Sequence, residues 1–166
     1  TNIACKSEDK KSLKTWANFS SCSPNKAGLF EIDFEYDEKY AFNENYEGTQ
    51  VAGHPVKISL GIDNSGILKL IDVKTDTTAP FYFRKQAYLM WLRVYGRYGS
   101  QNWSCVEHDK LDDHVSAGKK YINRTCKKTL KNREIILHTK FYFKNNKSEE
   151  NLISTTNMII QGNSKL

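Results

Sequence analysis

The sequence predicts a mainly β (α+β) fold, a single domain of residues 1–166 in which an antiparallel β-sandwich or β-cup carries one long amphipathic helix near residues 84–98. Two patterns lead to this prediction. Several segments alternate between apolar and polar residues, which is the period of a half-buried strand. One aromatic segment instead repeats apolar side chains every three to four positions, which is the period of a helix. A chain of 166 residues is long enough for one such domain with its own core.

The strands are expected after a polar, irregular N-terminal arm, residues 1–27. In residues 30–37, aromatic or aliphatic side chains alternate with acidic ones, which is the clearest strand pattern in the chain. Because the acidic face must meet water, the sheet is expected to be antiparallel with one solvated face. Two hairpins are predicted further along, from residues 56–62 with 67–73 and from residues 133–144 with 152–161.

The helix is predicted between Ala79 and Cys105, a stretch unusually rich in the chain's 3 Trp, 9 Tyr and 8 Phe residues. Its apolar side chains share one helical stripe, and Gly96 and Gly99 are expected to end the helix near residue 98. Such a stripe is equally typical of a helix that completes a core and of one wall of a ligand cavity. The stripe comprises Tyr88, Trp91, Leu92 and Tyr95, widened by Ala87, Met90, Val94 and Tyr98.

Cysteines and glycosylation acceptors together predict a secreted, extracellular glycoprotein. The four cysteines allow three pairings, and neighbour pairing is favoured because each pair brackets a polar, irregular segment that a bridge would hold. The expected disulfides are Cys5–Cys22 and Cys105–Cys126, and the Asn-x-Ser/Thr acceptors are Asn18, Asn102, Asn123 and Asn146. The first residue is Thr1 rather than methionine, which fits a mature chain whose signal peptide has been removed.

The formal net charge of +6 is concentrated in residues 119–133. This stretch is expected to form a solvated basic face or to attract an anionic lipid surface or an acidic protein partner. Nucleic acid is not expected, because the compartment disfavours it and the stretch lacks the interleaved aromatic residues of a stacking surface. No apolar run approaches the roughly 18 residues of a membrane span, so no transmembrane segment is expected. The basic residues are Lys119, Lys120, Arg124, Lys127, Lys128, Lys131 and Arg133.

Catalytic and metal-binding patterns are weak in this chain. It has no Gly-x-Ser-x-Gly elbow and no phosphate-binding glycine loop. Residues 105–109, Cys-Val-Glu-His-Asp, resemble the His-Asp region of secreted phospholipases A2, and residues 49–53 resemble the inhibitory hairpin of cystatins. Two cysteines and two histidines would suit tetrahedral zinc, although an oxidising compartment favours a disulfide. These four are Cys105, His108, His114 and Cys126. We expect no enzymatic activity, no cofactor and no bound metal.

Three strings resemble a family of lipid-binding proteins. They are Thr-Asn-Ile-Ala-Cys-Lys-Ser at residues 1–7, Ala-Pro-Phe at 79–81, and Tyr-Gly-Ser-Gln-Asn-Trp-Ser-Cys at 98–105. With the order of elements, they resemble the lipid-recognition β-cup of ganglioside-activator-like proteins and their secreted chemosensory relatives in insects. The resemblance implies a non-enzymatic carrier whose apolar cup holds a fatty acid, lipid, sterol or pheromone-like molecule. It departs near residues 77–78, where such families carry further cysteines.

In such a cup the ligand is expected to touch the helical stripe and the strands facing it. The predicted ligand-binding residues are Phe81, Phe83, Tyr88, Trp91, Leu92, Tyr95, Phe141 and Phe143, with Arg84 and Arg97 as a polar entrance for a carboxylate headgroup. The alternative is an extracellular interaction or inhibitor module, lipocalin-like or cystatin-like, whose basic face binds an acidic partner. A degenerate phospholipase A2-like enzyme ranks last.

Overall fold

The computed structural model describes residues 17–19, 23–34, 46 and 48–162. The predicted bridge between Cys5 and Cys22 lies outside these residues, as do most of the N-terminal arm and residues 35–37 of the first predicted strand. All elements named below fall within the described part of the chain.

The described residues form one antiparallel sheet. Its strands are β1 (Ala17–Phe19), β2 (Phe30–Phe34), β3 (Gln50–Val51), β4 (His54–Ile62), β5 (Leu68–Thr75), β6 (Ser104–Glu107), β7 (His114–Val115), β8 (Ile122–Leu130), β9 (Arg133–Lys144) and β10 (Leu152–Gly162). They are ordered β1-β2-β4-β5-β10-β9-β8-β6, with β3 beside β4 and β7 beside β9. The mainly β, antiparallel prediction is confirmed, and a single sheet is closer to the cup than to the sandwich.

Both predicted hairpins are present. Strands β4 and β5 pair around a turn in which the Asp63 carboxylate accepts hydrogen bonds from the backbone N–H groups of Ser65 and Ile67. Strands β9 and β10 pair over their whole length, and a 3₁₀ turn, Glu149–Asn151, lies between them. A third hairpin joins β9 to β8, which lies in the basic stretch of residues 119–133, where no strand was predicted. The sequence of β8 does not show the alternation of apolar and polar residues, because charged residues lie on both faces of this strand.

The N-terminal arm also departs from the prediction. It was expected to be irregular, but it contains β1, which pairs with β2 at the edge of the sheet. A strand of only three residues leaves little periodicity to detect, so its partner rather than its own pattern defines it.

The helix near residues 84–98 is confirmed, but it starts earlier and is interrupted. It consists of α1 (Phe81–Arg84), a 3₁₀ turn (Ala87–Leu89) and α2 (Met90–Tyr98). Buried hydroxyl groups of β10 bond to the backbone at the interruption. Ser154 Oγ donates to Lys85 O over 2.9 Å, and Thr156 Oγ1 lies 2.9 Å from both Ala87 O and Tyr88 O. The carbonyl groups that a continuous helix would pair internally are thus satisfied by the sheet.

The helix seals one face of the sheet with small and flexible side chains. Met90 packs with Val56 and Val73, and Val94 packs with Cys126 and Leu137. All six side chains are buried, so this part of the predicted stripe is core.

One member of the predicted inward stripe is placed wrongly. Leu92 is 50% exposed. It stands two residues from both Met90 and Val94, the buried positions of α2. Two residues of α-helix turn the side chain by roughly 200°, so Leu92 faces away from the sheet. Within α2, the stripe of Trp91, Tyr95 and Leu92 is offset from the buried stripe of Met90 and Val94, and Leu92 lies at its far edge.

Candidate functional site

A row of aromatic rings runs along the seam between α2 and β8. We call Tyr88, Trp91, Tyr95 and Trp103 the aromatic row. The Trp91 and Tyr95 ring centroids are 5.1 Å apart in an edge-to-face contact, and Tyr95 and Trp103 are stacked at 4.8 Å. At the other end, Tyr88 stacks on Phe141 of β9 at 4.0 Å. These contacts place the Trp91, Tyr95 and Trp103 rings side by side, and the Tyr88–Phe141 pair lies one turn earlier in the helical segment.

The local sequence explains the row. Tyr88, Trp91 and Tyr95 are spaced three and four residues apart, so they lie on the same side of the helical segment. Gly99, with a φ of 83°, ends α2 in a conformation that glycine adopts readily. The chain then turns back, and the Trp103 indole N–H donates to Gly99 O over 2.7 Å. This bond holds Trp103 against Tyr95. Tyr88 is buried, whereas Trp91, Tyr95 and Trp103 are only half-buried.

Positive charges alternate with these rings. Lys120 Nζ lies 6.0 Å from the Tyr88 ring centroid, Arg124 Cζ 4.9 Å from that of Trp91, and Lys128 Nζ 5.7 Å from that of Trp103. Such distances are those of cation–π contacts. Within β8, Arg124, Cys126 and Lys128 are two residues apart and therefore share the helix-facing side of the strand.

The structure divides the predicted basic face. Strand alternation puts Lys127 on the side of β8 opposite Arg124 and Lys128. The cations on the helix-facing side meet aromatic residues contributed by a stretch some thirty positions earlier in the chain, as in the contact of Arg124 with Trp91. The lack of aromatic residues within the basic stretch is therefore no longer a reason to exclude nucleic acid as a partner. The prediction that the protein does not bind nucleic acid now depends only on the expected extracellular compartment.

Lys128 and Arg124 have different roles. The Lys128 ammonium group donates to the backbone carbonyl oxygens of Tyr98, Gly99 and Gln101, at the C-terminal end of α2. A cation there satisfies carbonyl groups that lack helical partners and complements the helix dipole. Lys128 therefore fixes the end of the helix, whereas Arg124 lies on an aromatic ring.

The Cys105–Cys126 disulfide lies beside the middle of the row. Its cysteines are directly opposite each other on β6 and β8, and the Tyr95 hydroxyl is 3.7 Å from each sulfur. The predicted pairing of these two cysteines is confirmed. The bridge holds the short edge strand β6, and with it Trp103, next to β8. Because the sulfur atoms are bonded to each other, they cannot act as the thiolate ligands of the zinc alternative.

The structure brings together only part of the predicted ligand-binding set. Tyr88, Trp91, Tyr95 and Phe141 meet at the row, whereas Leu92 and Arg97 are exposed on α2.

The other predicted ligand-binding residues lie elsewhere. Phe81, Phe83 and Arg84 lie on α1, where Phe83 stacks on Tyr46 at 5.5 Å and the Arg84 guanidinium lies over Phe81. Phe143 is half-buried near the end of β9. Trp103, Lys120 and Arg124 were missed as site residues. Arg124 could have been found from its spacing of two residues from Cys126 within β8, and Trp103 from its place in the aromatic stretch.

The histidines of the alternative sites make structural contacts. His108 Nε2 is 2.7 Å from Thr125 Oγ1. His114 is buried, stacks on Tyr142 at 4.1 Å, and has Nδ1 2.8 Å from the Tyr121 hydroxyl. These contacts give both histidines a structural role in the sheet and its adjoining loops.

The glycosylation acceptors occupy different settings. Asn102 and Asn146 are exposed in turns, and Asn102 has a positive φ of 62°. Asn123 lies within β8, with its carboxamide oxygen 3.1 Å from His138 Nε2. Asn18 is the middle residue of β1. Modification of any of them stays a prediction.

Neither a candidate metal centre nor a membrane-spanning helix is present in the described part of the chain. Among residues 17–19, 23–34, 46 and 48–162, no cluster of three or more His, Cys, Asp or Glu side chains is arranged to hold a metal. In the same residues, no helix has the length and apolar character needed to cross a membrane. Comparisons with protein-family models, curated proteins and solved structures found no match to this chain.

Proposed function

We propose that this protein is a secreted, non-enzymatic binder of a small hydrophobic ligand, and that the ligand lies along the aromatic row. The observation that carries the proposal is the partial exposure of three rings in mutual contact, Trp91, Tyr95 and Trp103. Ligand sites are typically lined by apolar and aromatic side chains with a few polar groups among them. The row has this composition.

The packing of the helix supports this location. Met90 and Val94 already fill the space between α2 and the sheet. The Trp91, Tyr95 and Trp103 rings stand beside this core and keep exposed area that a ligand can cover. Covering an aromatic ring removes apolar surface from water, which stabilises a complex by roughly 25 cal/mol per Å².

The chemistry around the row favours binding over catalysis. Its described polar groups are the Tyr88 and Tyr95 hydroxyls, the Trp103 indole N–H, a disulfide, the cations of Lys120, Arg124 and Lys128, and the neighbouring Glu107 carboxylate. A nucleophilic mechanism needs a nucleophile activated by an adjacent base. The groups that line the row do not form such a pair, which supports a carrier.

Ligand extraction and a matched pair of variants test the proposal. Organic extraction of the protein from its natural source, followed by mass spectrometry, should recover a hydrophobic molecule. Trp91→Ala should weaken the binding of a fluorescent fatty-acid probe by about thirtyfold or more, because truncating a central aromatic contact costs at least about 2 kcal/mol. Tyr82→Ala is the control, since Tyr82 is 70% exposed on α1.

Two results would contradict the proposal. One is the absence of any copurifying ligand together with failure of fatty-acid and sterol probes to bind. The other is a large loss of melting temperature in Trp91→Ala with normal probe binding by the protein that stays folded. The second result would assign Trp91 to the core alone.

The cations of the row favour a second candidate, an extracellular module that binds an acidic partner. Lys120 and Arg124 present positive charge on the same side as the half-buried rings. Attraction between exposed charges is screened by salt, so binding to an acidic protein should fall steeply between about 0.05 and 0.2 M salt. Binding of an uncharged hydrophobic probe should change little over this range.

A further inference from the structure

Arg124 occupies the centre of the aromatic row. Its guanidinium carbon is 4.9 Å from the centroid of the Trp91 ring, and its side chain is half-buried. Tyr95 and the disulfide follow on one side of it, and Tyr88 with Lys120 on the other. A charged group in this position loses part of its hydration to an apolar neighbour.

A guanidinium group suits such a position. It is planar and weakly hydrated, and it stacks on aromatic faces while its N–H groups at the edge stay able to donate. Two of these donors match the two oxygens of a carboxylate or phosphate. Arg124 therefore combines an apolar base, Trp91, with a directional site for an anion. Lys128 does not offer the same site, because its ammonium group bonds to the end of α2.

One acidic residue adjoins this site. Glu107 of β6 is directly opposite Arg124 in the antiparallel register. Residues so placed have Cβ atoms about 5 Å apart and project from the same face of the sheet. Glu107 therefore lowers the local positive potential, and a bound anion would compete with it for Arg124. It also provides the simplest rival explanation, in which Arg124 serves only this cross-strand charge pair.

We infer that the ligand is an amphiphile with one anionic headgroup, that Arg124 binds the headgroup, and that the apolar chain lies over Trp91, Tyr95 and Trp103. This inference rests on the proposed function and narrows it. It selects ligands with a carboxylate or phosphate group and disfavours neutral sterols and hydrocarbons. Lys120 adds a second positive charge beside Tyr88. The entrance is then formed by Arg124 and Lys120 rather than by Arg84 or Arg97, which lie on α1 and on the exposed side of α2.

Three probes with the same chain separate the possibilities. Oleate carries a carboxylate, oleoyl lysophosphatidate carries a phosphate, and oleyl alcohol is neutral. Each is titrated below its critical micelle concentration while quenching of tryptophan fluorescence is followed. We expect the wild type to bind at least one anionic probe about tenfold more tightly than the alcohol, which is about 1.4 kcal/mol, since hydrogen bonds to charged groups are stronger than those to neutral ones. Comparison of oleate with lysophosphatidate identifies the preferred headgroup.

Four variants assign the headgroup site. Arg124→Gln should remove the preference for anions, about a tenfold loss, and leave the affinity for oleyl alcohol unchanged. Arg124→Lys should recover part of the preference for anions, because lysine restores the positive charge without the planar pair of donors. Glu107→Gln should strengthen anion binding. Arg133→Gln is the control, since it removes an equal charge from an exposed residue at the start of β9.

The outcomes distinguish the inference from the function on which it rests. Equal wild-type affinity for the anionic probes and oleyl alcohol would overturn the inference and leave the proposed function standing. Failure of all three probes to bind would overturn both. If Arg124→Gln and Arg133→Gln reduced anion binding equally, the effect would be one of net charge and the assignment to Arg124 would be wrong. If Glu107→Gln left anion binding unchanged, this would also contradict the inference that the anion competes with Glu107 for Arg124.

Discussion

Replacing Thr156 with valine should destabilise the protein by about 2 kcal/mol, through loss of polar contacts alone. Valine has nearly the same shape as threonine, so no large cavity is created. The Thr156 hydroxyl is fully buried and lies 2.9 Å from the carbonyl oxygens of Ala87 and Tyr88. Valine removes this donor. Ala87 O keeps its hydrogen bond from the Met90 N–H, whereas Tyr88 O loses its hydroxyl partner, and loss of a buried hydrogen-bond partner costs about 1 to 3 kcal/mol.

The expected loss of stability is large enough to be measured by thermal and urea unfolding. For a chain of this length, 1 kcal/mol corresponds to about 2 to 4 °C, so Thr156→Val should lower the Tm by roughly 4 to 8 °C. Urea titrations should show a lower midpoint with an unchanged slope, because the surface exposed on unfolding is the same. Thr155→Val is the control, since Thr155 projects from the opposite face of β10.

One result would refute this account of the interrupted helix. If Thr156→Val were as stable as the wild type while folding to the same structure, the Thr156 hydroxyl would not hold the interruption.

Two further predictions concern the buried carboxylate and the disulfide. Burial opposes ionisation of Asp76, but hydrogen bonds from Thr78 and Tyr46 outweigh it, together with the charge of Lys57, and lower its pKa. The folded pKa is below the usual 3.8, so the stabilisation is complete above pH 3.8 and is lost as pH falls through the folded value. Urea titrations should therefore show Asp76→Asn less stable than the wild type at pH 7, with a gap that narrows below pH 3.8; a constant gap would contradict this. Replacing both cysteines of the Cys105–Cys126 bridge with serine should cost about 3 kcal/mol, because the bridge closes a loop with a sequence separation of 21. Thermal melts measure this, and an unchanged Tm would show that β6 needs no covalent attachment.

The fold class could be predicted because it follows from local periods. A strand alternates every two residues and a helix repeats every 3.6, and these periods are visible over eight to fifteen residues without knowledge of any partner. The hairpins at 56–73 and 133–161 and the helix near 84–98 were predicted in this way and are confirmed. The Cys105–Cys126 pairing was also correct, because chain neighbours are the simplest choice for a bridge.

The candidate site could be predicted only in part. Tyr88, Trp91 and Tyr95 share a helical face, and that face was read correctly. Leu92 was misplaced, because helical periodicity groups it with the aromatic residues but does not show which edge of their stripe the sheet covers. The interruption at Lys85 was not predicted either, since it involves hydroxyl groups of β10 nearly seventy residues away in the chain. Local periodicity carries no information about such a contact.

Two hairpins, the helix and one disulfide follow from the sequence, as does the concentration of aromatic residues and of positive charges in one stretch each. Strands β1 and β8 and the interleaving of the two stretches are apparent only in the folded chain. The placement of Arg124 over Trp91 requires the pairing of β8 with β9 and the packing of α2 on that sheet. Side chains so far apart in the chain meet through strand register and helix phase, which depend on the whole folded chain and not on any one segment.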